Sequence, residues 1–372
     1  MSFDPTRLVR PEVRALTAYQ AGPPPPAGAV KLDANESPFA LGEILRGALA
    51  EELAKALADV ALHRYPDPDA RLLRQLLAEE LGLTPDHVLL ANGSDEAIQM
   101  LTMAVAGPES TVLAPVPTFA VYELSARMQG LRFVGVPLRP GFVLDEPAMH
   151  EALRRERPRL VFLAWPNNPT GRLFDEAAVE RILHACAGES CQALVVVDEA
   201  YVAYSGRTFI PRLASHPNLV VFRTLSKIGL AGIRLGMIVA APALVAEVNK
   251  VRMPYNVNAL SQAAAHVVVR HGEIIRQHAA LVVAERERLS AALQALPGVT
   301  VTPSDANFFL LRTNRPGGEV ARALLARRIF VRDFSDAPYL AGCLRITVGT
   351  PRENDLLLSA LAEILGRGEA TR

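Results

Sequence analysis

Two textures of apolar residues divide this chain. From about residue 43, "EILRGALAEELAKALADVALHRY" places an apolar side chain every three to four positions, which predicts a helix that stops at Pro66. A second helix follows in "PDARLLRQLLAEELG", leaving Tyr65 on the turn between the two. The texture then changes to short apolar runs separated by helical segments. The runs are "HVLLA" (87–91), "TVLAP" (111–115), "LRFVGVP" (131–137), "RLVFLAW" (159–165), "ALVVVDEAY" (193–201), "NLVVFRT" (218–224) and "GMIVAA" (236–241). Most are continuous Val, Ile and Leu with no polar alternation, the mark of strands buried on both faces. Strands alternating with helices predict an α/β fold with a mostly parallel seven-stranded sheet and helices on both faces. A long helical stretch, broadly 259–295, leads to three more strands in "NFFLLR", "RIFVRDF" and "CLRITVG" and then to a C-terminal helix, a smaller α+β domain. The proline-rich "AYQAGPPPPAGAV" makes the first 30 residues an extended arm. The expected organisation is an arm over 1–30 packed on the small domain and a partner subunit, a large α/β domain over 31–260, and a small domain over 261–372.

Composition excludes several classes of function. Half of the 372 residues are hydrophobic, and 39 basic residues balance 39 acidic ones. No concentrated positive field is available for nucleic acid or an acidic membrane surface. No apolar run approaches the ~18 residues needed to span a bilayer. "MSFDPTRLVRPEV" contains no apolar signal segment, so a cytoplasmic protein is expected. Three cysteines, Cys186, Cys191 and Cys343, lack CxxC spacing and read as free thiols rather than metal ligands. No metal site is expected.

Ligands of open parallel sheets bind beyond the carboxyl ends of the strands, so the residues there carry the chemistry. "LVVVD" ends in Asp198, an acid at the rim of an apolar sheet that needs a partner. Tyr201 lies three residues on, and Asn168 closes another strand in "AWPNNPTG". After "NLVVFRT" comes Lys227, flanked by Thr224 and Ser226. The chain has only four lysines, Lys31, Lys55, Lys227 and Lys250, among its 39 basic residues. A lysine in so arginine-rich a chain suggests a task that a guanidinium cannot perform. At "HVLLANGSDEAIQML" a strand passes through Gly93, Ser94 and Asp95 into a helix, whose N-terminal N–H groups suit an anion. Arg234, at the end of "RTLSKIGLAGIRLG", adds a charged clamp. Together these groups suit pyridoxal phosphate. Its aldehyde needs a primary amine for imine formation, which points to Lys227. Asp198 would pair with the pyridinium nitrogen, Asn168 and Tyr201 would hold the phenolic oxygen, and Ser94, Asp95, Thr224, Ser226 and Arg234 would hold the phosphate.

"PNNPTG", "VVVDEAY" and "TLSK…AGIRLG", in that order, resemble the aminotransferases of PLP fold type I. "VRALTAYQAG", "KLDANESPF", "RYPDPDARLLRQLLA" with "NGSDEAI", and "CLRITVGTPREN" are similar to the histidinol-phosphate aminotransferases within that group. The resemblance implies that Lys227 carries the cofactor and that Tyr65 reaches the cofactor phosphate of a neighbouring subunit, hence a homodimer. It also implies that Arg345 binds the anionic end of the substrate, with Tyr19 and Arg332 helping to hold the phosphate of histidinol phosphate. Strand alternation in "CLRITVG" sets Arg345 and Thr347 on the face opposite Leu344, Ile346 and Val348. An arginine fork there serves a carboxylate or a phosphate equally, as needed for glutamate and an amino phosphate in turn. The sequence departs from the family pattern twice. Phe119 stands where a tyrosine often stacks on the cofactor ring, and the segment from Lys227 to Arg234 is one residue shorter. The expected reaction is a transamination between histidinol phosphate and 2-oxoglutarate. An aromatic or broad-range aminotransferase, a PLP-dependent phospho-amino-acid decarboxylase and a non-catalytic relative are the alternatives. Retention of Lys227, Asp198, Asn168 and Tyr201 argues against the last.

Overall fold

The computed structural model describes residues 3–17, 25–39, 47–107 and 109–366. Twelve strands are assigned there: β1 (Val30–Leu32), β2 (Val88–Ala91), β3 (Thr111–Val116), β4 (Arg132–Pro137), β5 (Leu160–Ala164), β6 (Leu194–Asp198), β7 (Leu219–Thr224), β8 (Gly236–Ala240), β9 (Val299–Val301), β10 (Phe308–Thr313), β11 (Ile329–Asp333) and β12 (Cys343–Thr347). β2 to β8 are the seven apolar runs of the sequence. They form one sheet in the order β2-β8-β7-β6-β5-β3-β4, in which β8 runs antiparallel to both neighbours and every other pairing is parallel. The runs are continuous because both faces are covered. Val161, Val195, Val197 and Val221 pack into one core, and Phe162, Val196, Val220 and Phe222, one position out of phase, pack into another. Only the edge strand β4 exposes residues, Arg132 among them. The strand order reverses between β3 and β5, so the crevice for a ligand lies at their carboxyl ends.

The second sheet has the order β1-β11-β12-β10-β9, with β1 parallel to β11 and the rest antiparallel. Here the structure departs from the expected boundary at residue 31. Lys31 and Leu32 lie in β1, paired with Phe330 and Val331 of the small sheet, because Val30 and Leu32 bury themselves in its core. The first segment also contacts more than the small domain: the Arg10 guanidinium donates to the Met128 carbonyl on the helix Val121–Met128 of the large unit. The helical stretch expected over 259–295 is two helices, Ala259–Arg270 and Gly272–Gln294, separated by the non-helical His271. Among the described residues, no helix is long and apolar enough to cross a membrane.

Candidate active site

The carboxyl ends of β5, β6 and β7 open into a cavity of about 500 Å³ that the small sheet also lines, through Lys31, Arg332 and Arg345. β7 ends at Thr224, and just beyond Leu225 and Ser226 the side chain of Lys227 enters this cavity. Its backbone is held by the Tyr204 hydroxyl, which donates to the Lys227 carbonyl. The Lys227 amine lies 3.5 Å from the Ala34 carbonyl and 6.0 Å from the centre of the Tyr201 ring. Removal from water, helped by the Arg345 guanidinium, lowers its pKa from 10.5 to about 8.

Asp198 terminates β6 and is buried. One oxygen accepts from the Tyr122 hydroxyl at 2.7 Å and the other from the Ala200 N–H at 3.1 Å. Neither donor is charged, so burial prevails and pushes the acid up from 3.8 to about 6, against the pull of the Tyr122 hydrogen bond. Tyr201 is buried too, its ring edge-on to Phe308 at 5.1 Å. Its hydroxyl accepts from Asn35 at 2.9 Å, which leaves its own proton to donate, and burial raises its pKa to about 12. Asn168 accepts from the Arg345 guanidinium at 2.7 Å through its carbonyl oxygen, leaving its amide N–H groups for another acceptor.

An anion cup forms where the helix Gly93–Val105 begins. The first N–H groups of a helix have no acceptor within it, and Ser94 and Asp95 lie in that turn. Gly236 of β8 packs so close that a Cβ there would stand 2.6 Å from the Gly93 carbonyl carbon. Gly93 itself adopts φ +74°, with the Arg234 guanidinium against it. Arg234 donates to Asp95 at 3.3 Å and to the Ser226 hydroxyl at 3.5 Å, and Ser226 is 3.0 Å from the Thr224 hydroxyl. Ser94, Asp95, Thr224, Ser226 and Arg234 thus share one end of the cavity, and Phe119 lines it nearby. The missing residue between Lys227 and Arg234 has not moved the arginine away.

At the small-sheet wall, Arg345 donates to Asn168 and, at 2.7 Å, to the Asp33 carbonyl, with the Phe308 and Phe334 rings at 5.5 and 5.6 Å. Arg332 sits directly across the strand pair from Arg345 and also approaches Phe334, at 5.9 Å. Like charges directly opposed are destabilising, and a bound anion removes that penalty. Tyr65 does not join the cavity of its own chain. It is 80% exposed and stacked on Tyr255 at 4.4 Å. Tyr19 lies outside the described residues. Among the described residues, no group of three or more His, Cys, Asp or Glu side chains is arranged to hold a metal ion.

Among the cavity residues to which the sequence assigned no role are Tyr122, Asn35 and Lys31. Tyr122 touches Asp198, Asn35 touches Tyr201, and Lys31 pairs with Glu36 at 2.5 Å and Asp33 at 3.1 Å. Tyr122 gave a faint signal, as a polar ring three residues after Phe119 in "PTFAVY".

The sequence pattern of the family described as "Aminotransferase class I and II" matches residues 27–361. Histidinol-phosphate aminotransferase 1 of Ralstonia nicotianae is 49% identical over 96% of this chain and 95% of its own. Histidinol-phosphate aminotransferase 1 of Burkholderia lata is 48% identical over 96% and 98%. The crystal structure of histidinol-phosphate aminotransferase from Sinorhizobium meliloti, in complex with pyridoxal-5'-phosphate, superposes with a TM-score of 0.84 at 26% identity, covering 97% of this chain and 98% of that one.

Proposed function

The chain belongs to the class I and II aminotransferases, and from that premise we propose that it transfers the amino group of L-histidinol phosphate to 2-oxoglutarate, giving imidazole-acetol phosphate and L-glutamate in histidine biosynthesis. The observation that carries this reading is a single cavity shared by a primary amine, a buried carboxylate, an anion cup and a pair of arginines.

Pyridoxal phosphate fits these residues. The cup at Gly93 offers helix N–H groups, the hydroxyls of Ser94, Thr224 and Ser226 and the Arg234 guanidinium to a phosphate. Asp198 is a buried anion whose protein partners are neutral, and a protonated ring nitrogen would supply the missing cation. When bound, the cofactor supplies an aldehyde and an electron-withdrawing ring that lets the substrate Cα lose a proton.

The chain's own groups then have separable tasks. Lys227 would attach the cofactor through its amine. Once released it moves a proton from the substrate Cα, a role favoured by a pKa of about 8. Asp198 would hold the proton on the ring nitrogen. Tyr201 and Asn168 would donate to the phenolic oxygen, each retaining the proton needed to do so. Phe119 covers a ring face, which needs no hydroxyl. Ser94, Asp95, Thr224, Ser226 and Arg234 hold the phosphate, Asp95 through its backbone N–H because its carboxylate is engaged with Arg234. Arg345 takes the carboxylate of glutamate or the phosphate of histidinol phosphate, and Arg332, with Tyr19, adds to the hold on phosphate. We further propose a cytoplasmic homodimer in which Tyr65 of a second copy reaches the cofactor phosphate; its exposed, stacked ring supports this.

The test is kcat/KM for histidinol phosphate against phenylalanine, each with 2-oxoglutarate as acceptor. A ratio well above one supports the assignment, and a ratio below one moves it to an aromatic aminotransferase. Release of CO₂ from a phosphorylated amino acid without any amino acceptor would identify a decarboxylase instead.

A further inference from the structure

We propose that Tyr122 is a positioning residue for the cofactor's ring nitrogen: its hydroxyl donates to Asp198 and keeps that carboxylate ionised and aimed, so the ring nitrogen keeps its proton. The inference rests on the pyridoxal phosphate reading and concerns a residue that this reading does not use.

Tyr122 is fully buried, and two neighbours fix its ring. Phe162 of β5 stacks on it at 4.4 Å and an interplanar angle of 4°. Phe119 meets it edge-on at 5.6 Å and 89°. The helix Val121–Met128 carries it, so neither ring nor backbone has freedom to swing the hydroxyl elsewhere. That hydroxyl has one proton and sits 2.7 Å from the acid, within the range of a charge-assisted O–H···O⁻ bond. A donor of this kind stabilises the ionised carboxylate over the neutral acid. Lys227 and Asp95 also act on Asp198, but through space and in opposite directions. Tyr122 and the Ala200 N–H are its hydrogen-bond donors, and the Tyr122 hydroxyl is the one that a substitution can remove.

Without the hydroxyl, Asp198 competes for the proton it should leave on the ring. The consequence falls on whatever contains a ring nitrogen and spares whatever does not. The experiment is therefore equilibrium binding of two ligands to the apoprotein: pyridoxal phosphate, and its 1-deaza analogue with CH in place of the ring nitrogen. The wild type should prefer pyridoxal phosphate. Tyr122→Phe, which keeps the stacked ring, should bind pyridoxal phosphate about 10- to 100-fold more weakly, as expected for one hydrogen bond to a charged group. Its affinity for the deaza analogue should stay at the wild-type value, so the preference collapses. Equal losses for both ligands, or no loss for either, would overturn the proposal. Phe162→Leu loosens the same packing but retains the hydroxyl, and it should retain the preference. If it loses the preference as fully as Tyr122→Phe, the effect is one of packing and the proposal fails. A wild type that binds neither ligand, or shows no preference between them, brings down the cofactor reading and this inference with it.

Discussion

Replacing Asp198 with Asn should stabilise the apoprotein while destroying its usefulness to the cofactor. In the free chain Asp198 is a buried acid served by two neutral donors, and its pKa stands at about 6 instead of 3.8. At 1.36 kcal/mol per pH unit, that gap corresponds to about 3 kcal/mol. The sign follows from linkage. The folded pKa lies above the unfolded one, so the group's contribution is fully present below pH 3.8 and is lost as pH rises through about 6. Asn does not titrate and loses nothing over that interval. It also keeps both partners, since its oxygen can accept from Ala200 while Tyr122 turns its hydroxyl to accept from the amide. Thermal melting of the two apoproteins between about pH 4 and pH 8 measures the difference. The Asp198→Asn variant should melt a few degrees higher at pH 8, with the gap closing toward pH 4. Pyridoxal phosphate should reverse the order, because only the carboxylate gains a cation. A variant that melts below the wild type at pH 8, or a gap that ignores pH, would refute the reasoning.

Further outcomes are expected. Borohydride reduction of the reconstituted protein should fix pyridoxal phosphate on the peptide containing Lys227; a label on Lys31, Lys55 or Lys250 would contradict the assignment. Because the neutral amine is the reacting form and its pKa is lowered to about 8, the rate of cofactor uptake by the apoprotein should rise with pH and reach half its maximum near pH 8. Lys227→Ala should also cut turnover by about 10²- to 10⁴-fold. Arg345→Lys replaces a fork held by Asn168 and the Asp33 carbonyl with a point charge, and should lower kcat/KM for glutamate and histidinol phosphate alike by about 10- to 100-fold. Arg332→Ala should weaken histidinol phosphate more than glutamate, and equal losses would deny it a phosphate role. Mixed dimers of Tyr65→Ala and Lys227→Ala chains should regain activity that neither parent has, since one site of each mixed dimer then holds an intact lysine and an intact tyrosine; no regain would place Tyr65 outside the partner's site.

How much of this could be read from the chain depended on whether a signal was local. The seven strands of the large sheet were legible because each is an apolar run on both faces, and a run such as "LVVVD" declares its own carboxyl end. Asp198, Asn168 and Lys227 were legible for the same reason, each lying at or within four residues of such an end. β1 was not, since three residues, Val30–Leu32, form a strand only when β11 accepts them across some 300 positions. His271 hid the break in the long helical stretch, because the apolar period runs on through both helices. Tyr122 was not legible either, because its partner is set only when the fold brings β6 beneath its hydroxyl.

The arginine pair shows most sharply what register adds to pattern. Alternation in "CLRITVG" already set Arg345 opposite an apolar face, but it said nothing of what lies across the sheet. The pairing of β11 with β12 puts Arg332 directly opposite Arg345, both lining the cavity beside Phe334. One residue of slip would turn Arg332 to the other face and leave Arg345 as a lone fork, adequate for a carboxylate and short of charge for a phosphate dianion. On the proposed reading, the hold on a substrate phosphate would therefore depend on the register of two short strands as much as on the arginines themselves.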